Sequence, residues 1–324
     1  MDDTKGGTTD LAARRVIERL EARAGEHACG GFVAALEPLQ RTEIFTSLIF
    51  DRLRRKMRTV EALYRESAEN WNQTFYLLYF RTLGDRLNQE AYLELARRVP
   101  YRIVLRERRV PHAVEAMLFG ASGLLELYRN DEYTLNLRRN FEHLAAKYEI
   151  RPLDASVWAL TEIRPANHPV LRLAQAAEFF ARDEFLMDRT MACRSEKDVR
   201  ELFGIEASEY WRTHFIPGAE SDARPKRIGA FKANIIGINL VVVLQFAYGS
   251  YTASERLRDN ALSLLEELPA EDNRYMREWS AAGIRPRNAF ESQALLQLAT
   301  EWCAERRCRQ CPVGRRIAKT IPED

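Results

Sequence analysis

The stretch EWCAERRCRQCPVGRR sets Cys303, Cys308 and Cys311 within nine residues of a chain that has five cysteines in all. The Cys-x4-Cys-x2-Cys spacing matches the first three ligands of the plant-type iron–sulfur pattern, and its Cys-x2-Cys step also suits zinc. Flanking arginines are expected to lower the thiol pKa values and so favour thiolate, the form that binds metal. Three thiols leave a closed site one ligand short, and spacing marks neither Cys29 nor Cys193 as the fourth. A reduced, half-buried thiol cluster without metal is the alternative.

Arginine is the second chemical signal. Of 49 basic residues 42 are Arg, and with 47 acids the formal charge is only +2, so no global field draws the chain to nucleic acid or an anionic membrane. Local runs differ: RLRRKMR (52–58), RRVPYRIVLRERR (97–109) and RRCRQCPVGRR (306–316) concentrate positive charge, the second beside Tyr101. Guanidinium forks and aromatic faces suit phosphates and bases. The expected nucleic-acid contacts are Arg97, Arg98, Arg102, Arg106, Arg108 and Arg109, with Arg306, Arg307 and Arg309. The same forks could instead be spent on the chain's own carboxylates.

Catalytic constellations are harder to find. FGASGLL (119–125) lacks the spacing of a nucleophile elbow and the Gly-Lys-Ser/Thr end of a phosphate loop. The five histidines stand singly, with no i, i+4 pair for zinc. Polar residues in apolar surroundings, Glu115, Asn167, His168, His214 and Asn239, are the candidates for a scattered site. A satisfied buried hydrogen bond is the favoured explanation for each of them, because buried polar groups normally find partners.

The elements that must position these residues read as helices. Apolar residues recur at steps of three and four from Thr42 to Ser67, and NWNQTFYLLYFRTLG is apolar nearly all round, which predicts a buried central helix. Asn88 is expected to cap NQEAYLELARRV, Pro111 to sit in the first turn of PHAVEAMLFG, and SEYWRTHF to be helical. The run from Ile235 to Tyr248 is predicted to be a buried helix, too short at 14 residues to span a bilayer. The expected architecture is all-α, a multi-helix bundle or irregular helical array. Residues 1–39 would form an N-terminal helix and flexible joint, 40–216 a helical region, 217–229 a loop, and 230–324 a second helical region ending in the cysteine motif. The opening MDDTKGGTTDLAARR has no apolar core of the signal-peptide kind, so a cytoplasmic location is expected.

Several stretches together carry a resemblance. NWNQTFYLLYFRTLG, VEAMLFGASGLLE, IRPANHPVLRLAQAA, SEYWRTHF, INLVVVLQFAYGSY and the segment GIRPRNAFESQALLQLATEWCAERRCRQCPVG follow the order seen in domain-of-unknown-function family 2851, a bacterial family that the chain resembles from about Thr42 to Gly314. The resemblance implies that fuller members carry an N-terminal α/β segment similar to PD-(D/E)xK nucleases, with motifs resembling GPDF and VEIH. Neither motif occurs in this sequence. The final motif is also similar to the C-terminal cysteine loop of iron–sulfur DNA glycosylases, with a shorter first gap and no cysteine after Cys311. Together these imply a non-catalytic helical module with zinc or an iron–sulfur cluster in a structural role, contacting DNA, RNA or a nucleic-acid-processing protein partner. A protein–protein scaffold without nucleic acid or membrane contact is the rival reading.

Overall fold

Helical periodicity dictates the longest element. In the computed structural model, which describes residues 5–128 and 131–320, Pro38–Glu66 is one helix, with Phe45, Leu48, Ile49, Leu53, Val60 and Leu63 buried along one side. Among the described residues the fold is all-α apart from one two-stranded sheet. Two compact units divide it: one comprises residues 59–260, and the other joins residues 1–58 to residues 261–324.

The 59–260 unit has an aromatic core. Helix Trp71–Leu83 starts at Asn70, whose side chain accepts the Gln73 amide at 3.0 Å. Its Tyr79 ring stacks on Phe179 at 4.9 Å and Phe80 on Phe180 at 5.6 Å, both partners lying on helix Pro169–Arg182. Every residue of helix Ala113–Ser122 is buried, and this helix packs on Glu132–Tyr148 and on Pro169–Arg182. The run from Ile235 to Tyr248 lies in a longer helix than its apolar stretch suggests. It spans Ala230–Tyr251, with a π-helical turn at Gly237–Val241. By length and composition these 22 residues could cross a membrane, but 78 % of the most apolar window is buried inside the protein. Gln245, within that helix, donates to the Cys193 carbonyl at 2.9 Å and accepts from Asn260 at 2.7 Å, which satisfies a polar group no apolar neighbour could.

Three local expectations fail, each for a tertiary reason. SEYWRTHF forms a 3₁₀ turn, Glu209–Arg212, and then a strand, His214–Ile216, that pairs antiparallel with Ala219–Glu220 across Pro217-Gly218. Asn88 precedes its helix, but its amide bonds both the N–H and the carbonyl of Ala159, pinning a distant loop instead of the helix end. Pro111 lies outside helix Ala113–Ser122, because His112 takes a left-handed conformation (φ 58°) and starts the helix after it.

In the other unit, helix Lys5–Ala22 packs on Pro312–Lys319. The glycine-rich GEHACGG stretch lies against the C-terminal segment. His27 is buried with its ring 4.0 Å from that of Trp279, and a Cβ on Gly30 would stand 2.6 Å from the Ala282 methyl. Only glycine lets the backbone beside Cys29 come this close.

Candidate functional site

The cysteine motif folds as a reversal between two helices. A π-helical segment, Leu298–Cys303, ends helix Ala289–Gln297, and Arg306 in a left-handed conformation (φ 51°) turns the chain back. The Arg307 amide donates to the Trp302 carbonyl at 2.9 Å, and the Cys311 amide to Arg307 and Cys308 at 3.0 and 3.2 Å. Cys311 then caps helix Pro312–Lys319, with Pro312 in the first turn, where its missing N–H costs nothing. The turn is so tight that a Cβ on Gly314 would stand 1.9 Å from the Cys308 carbonyl. Between Cys303 and Cys311, Cys308 is the one side chain that is not exposed.

The structure adds a fourth thiol that spacing did not mark. Cys29 lies just before the short helix Gly30–Ala34, and Cys311 and Cys308 add to the rise in its pKa, as Cys29 adds to that of Cys303. All four are free thiols; Cys303 and Cys311 are buried and Cys29 and Cys308 half-buried. Cys193 belongs to the 59–260 unit, where its thiol faces the Arg189 carbonyl. The signal for Cys29 in the sequence was faint: a cysteine followed by two glycines in HACGG.

The expected lowering of the thiol pKa values is reversed. Burial pushes Cys29 up to about 12 and Cys308 up to about 11, the neighbouring thiols adding to the rise, and lifts Cys303 further still. Cys311 is raised by burial too, although the Val313 and Gly314 amides and the Arg315 guanidinium oppose the rise. Arg306, Arg307, Arg309 and Arg315 are exposed, so solvent screens their field, and burial of the thiols outweighs it. Among the described residues no three His, Cys, Asp or Glu are placed to hold a metal ion.

Beside the motif lies a cleft of about 470 Å³, lined by Arg54, Arg55, Arg58, Arg307, Arg315 and Trp302, with Asp51 and Glu301 its carboxylates. Arg55 divides its fork between Gln297 (3.1 Å) and Glu301 (3.4 Å), and Arg54 stands 4.0 Å from Asp51. Arg307 bonds the Glu301 carbonyl and lies over the Trp302 ring, 5.0 Å from its centroid. Neither Arg58 nor Arg315 has a carboxylate partner among the described residues. Arg55 Nε and Trp302 Nε1 are buried without a hydrogen-bond partner. Arg52, from the same run, is buried, and desolvation lowers its pKa to about 10 against the opposing fields of Glu271 and Glu301.

The nine arginines expected to meet nucleic acid separate into groups. Arg97 grips Glu66 with two bonds of 2.6 and 2.9 Å, Arg98 meets Glu94 and the Arg151 and Pro152 carbonyls, and Arg108 meets Glu184 at 2.6 Å. Arg102, Arg106 and Arg109 are exposed and have no ion-pair partner among the described residues. Arg307 lines the cleft, whereas Arg306 and Arg309 are exposed on the cysteine loop, the Arg309 amide held by Glu21 at 3.3 Å.

Of the scattered polar candidates, two share a network in the 59–260 unit. Glu115 is buried and accepts from Trp211 Nε1 and from the Tyr133 hydroxyl, both at 2.6 Å, with the Ser208 hydroxyl at 3.4 Å and His112 Nδ1 at 3.6 Å. The Tyr133 ring stacks on Tyr210 (4.1 Å), and Tyr210 stacks on His214 (4.1 Å) and donates to Asp131, the cap of helix Glu132–Tyr148. Asn167 accepts from Arg172 at 2.6 Å, His168 approaches the Tyr128 hydroxyl at 3.4 Å, and Asn239 donates to the Ile235 carbonyl at 3.2 Å. Each candidate thus has a local partner.

Among the described residues the architecture is helical apart from one two-stranded sheet, and the sequence places it further. Residues 8–274 match the family described as Protein of unknown function (DUF2851), and the chain belongs to that family. The match begins earlier than Thr42 and stops short of Cys303, so it takes in Cys29 but leaves the other three thiols outside. Comparison with curated proteins and with solved structures found no match.

Proposed function

We propose that the chain is a non-catalytic, cytoplasmic helical module that contacts the phosphate backbone of nucleic acid through the arginine cleft beside the cysteine motif. The observation that carries this reading is the lining of that cleft: five arginines face two carboxylates, and Arg58 and Arg315 have no carboxylate partner among the described residues. Guanidinium groups held in a groove are a phosphate-binding surface, and Trp302 offers an aromatic face at the same place. The cysteine motif sets the turn from which Arg307 and Arg315 project. The exposed Arg102, Arg106 and Arg109 supply a second basic surface on the 59–260 unit.

The test is fluorescence anisotropy of the full chain with labelled single-stranded DNA, duplex DNA and an RNA hairpin across a salt series. Affinity should fall linearly in log–log form as salt rises, and the Arg58→Ala/Arg315→Ala pair should reduce the slope by about two. No binding at low salt, or binding with a salt slope unchanged in the pair, would falsify it. A scaffold reading has its own support, since Arg97, Arg98 and Arg108 are spent on Glu66, Glu94 and Glu184. It predicts a protein partner that stays bound after nuclease treatment.

A further inference from the structure

We infer that the arginine cleft takes the end of a nucleic-acid strand and holds its terminal phosphate monoester. This rests on the cleft being the phosphate-binding surface, and it specifies which phosphate enters.

The recess is built from three elements of one compact unit, the one that joins residues 1–58 to residues 261–324. Helix Pro38–Glu66 brings Asp51, Arg54, Arg55 and Arg58 to one face, because steps of three and four return to the same side of a helix. Arg55 ties that face to the C-terminal segment, its Nη2 standing 3.1 Å from Gln297 Oε1 and 3.4 Å from Glu301 Oε1. The reversal after Glu301 adds Arg307, and helix Pro312–Lys319 adds Arg315.

Charge selects the ligand. Asp51 stands 4.0 Å from Arg54 and Glu301 faces Arg55, so both carboxylates of the cleft are matched. Arg58, Arg307 and Arg315 have no carboxylate partner among the described residues; Arg307 bonds the Glu301 carbonyl oxygen. Three cations around one recess exceed what a backbone diester, with its single negative charge, neutralises. A terminal monoester carries about −1.5 to −2 at neutral pH. The diester next to it adds one more, and the two together come close to three.

Size and bonding capacity agree with a strand end. At about 470 Å³ the cleft has the volume of a small-molecule pocket, not of a channel along which a strand runs. A duplex presents its phosphates on a convex cylinder, whereas a strand end can enter a recess. Arg55 Nε and Trp302 Nε1 are buried in the wall with no hydrogen-bond partner, and both can only donate. What that wall lacks is acceptors, and a monoester offers three terminal oxygens.

The test is anisotropy of the full chain with one internally labelled single-stranded DNA made in three forms: with a 5′-phosphate, with a 3′-phosphate, and with hydroxyls at both ends. At least one phosphorylated form should bind about tenfold tighter than the hydroxyl form, the difference that a hydrogen bond to a charged group makes. The Arg58→Ala/Arg315→Ala pair should bring the three forms to equal affinity. Both side chains are exposed, so the helical circular-dichroism spectrum should not change. Arg102→Ala/Arg106→Ala, on the 59–260 unit, should leave the preference intact. Equal binding of the three forms by the parent, with a salt slope still reduced in the Arg58/Arg315 pair, overturns the strand-end assignment and leaves the backbone contact standing. A preference that survives in that pair also overturns it, since the end is then held elsewhere. A nucleoside 5′-monophosphate that competes as strongly as the phosphorylated strand would make a free nucleotide the ligand instead. Absence of binding by all three forms removes the strand end and the backbone contact together.

Discussion

Two places in this chain bury reactive groups, and they do it differently. Around Glu115, both carboxylate oxygens receive donors: Trp211 on one, Tyr133 and Ser208 on the other, with Tyr133 further braced by the Tyr210 ring. Around Cys303, burial and the neighbouring thiols raise the thiol pKa, and in the adjoining cleft Arg55 Nε and Trp302 Nε1 find no acceptor among the described residues. A buried polar group with every bond made stabilises and specifies a core. Groups left with unused bonding capacity mark a place where something further can bind. The Glu115 neighbourhood is therefore read as structure and the cysteine neighbourhood as site.

The strongest way to break this contrast is Glu115→Ala. It strands the Trp211 and Tyr133 donors in a buried setting and should cost about 3–5 kcal/mol in denaturant unfolding, with Glu115→Gln costing about half as much. A loss near zero would show that the network is not structural. Next in size is Gly314→Ala, whose new methyl group meets the Cys308 carbonyl. Because that contact is with backbone, the turn must open, for about 1–3 kcal/mol, and alkylation of Cys308 should speed up while the 59–260 unit keeps its melting behaviour. Smaller again is Arg58→Ala, expected to weaken nucleic-acid binding by about 1 kcal/mol or less at moderate salt and to leave stability unchanged.

The smallest effect is a histidine titration. His112 is held above its ordinary pKa by its bond to Glu115, whereas burial lowers His168. The stabilisation from His112 is complete below its unfolded pKa of about 6.5 and is lost as pH rises through the higher folded value. His168 has the opposite sign: its contribution is present above the unfolded pKa and is lost as pH falls through the lower folded value. Nuclear magnetic resonance should show the two midpoints on opposite sides of 6.5, with only the His112 midpoint falling in Glu115→Gln.

How much of this was legible in the sequence depended on whether the cause was local. The 3.6-residue periodicity through Leu48, Leu53 and Val60 announces Pro38–Glu66. SEYWRTHF misleads because Trp211 and Tyr210 are directed to Glu115 and Asp131, partners on other elements that a helical reading of the segment cannot see. Glu115 stood out as an acid in an apolar run, but nothing local named its donors. Three cysteines were visible by spacing. Cys29 was not, since its meeting with the others is made only when residues 1–58 and 261–324 come together. The thiol pKa values were misjudged for a related reason: sequence shows the neighbouring charges but not the burial that outweighs them.

That discontinuous unit has a consequence for the order of events in the cell. Ribosomes add about 5–20 residues per second, so Cys29 waits some tens of seconds before Cys303 has been made. The 59–260 unit, contiguous in sequence, can fold while the first segment still lacks its counterpart. Any factor that shields the early thiol from oxidation must therefore act while the chain is still growing, and a product stalled before residue 261 would display Cys29 without the segment it packs against.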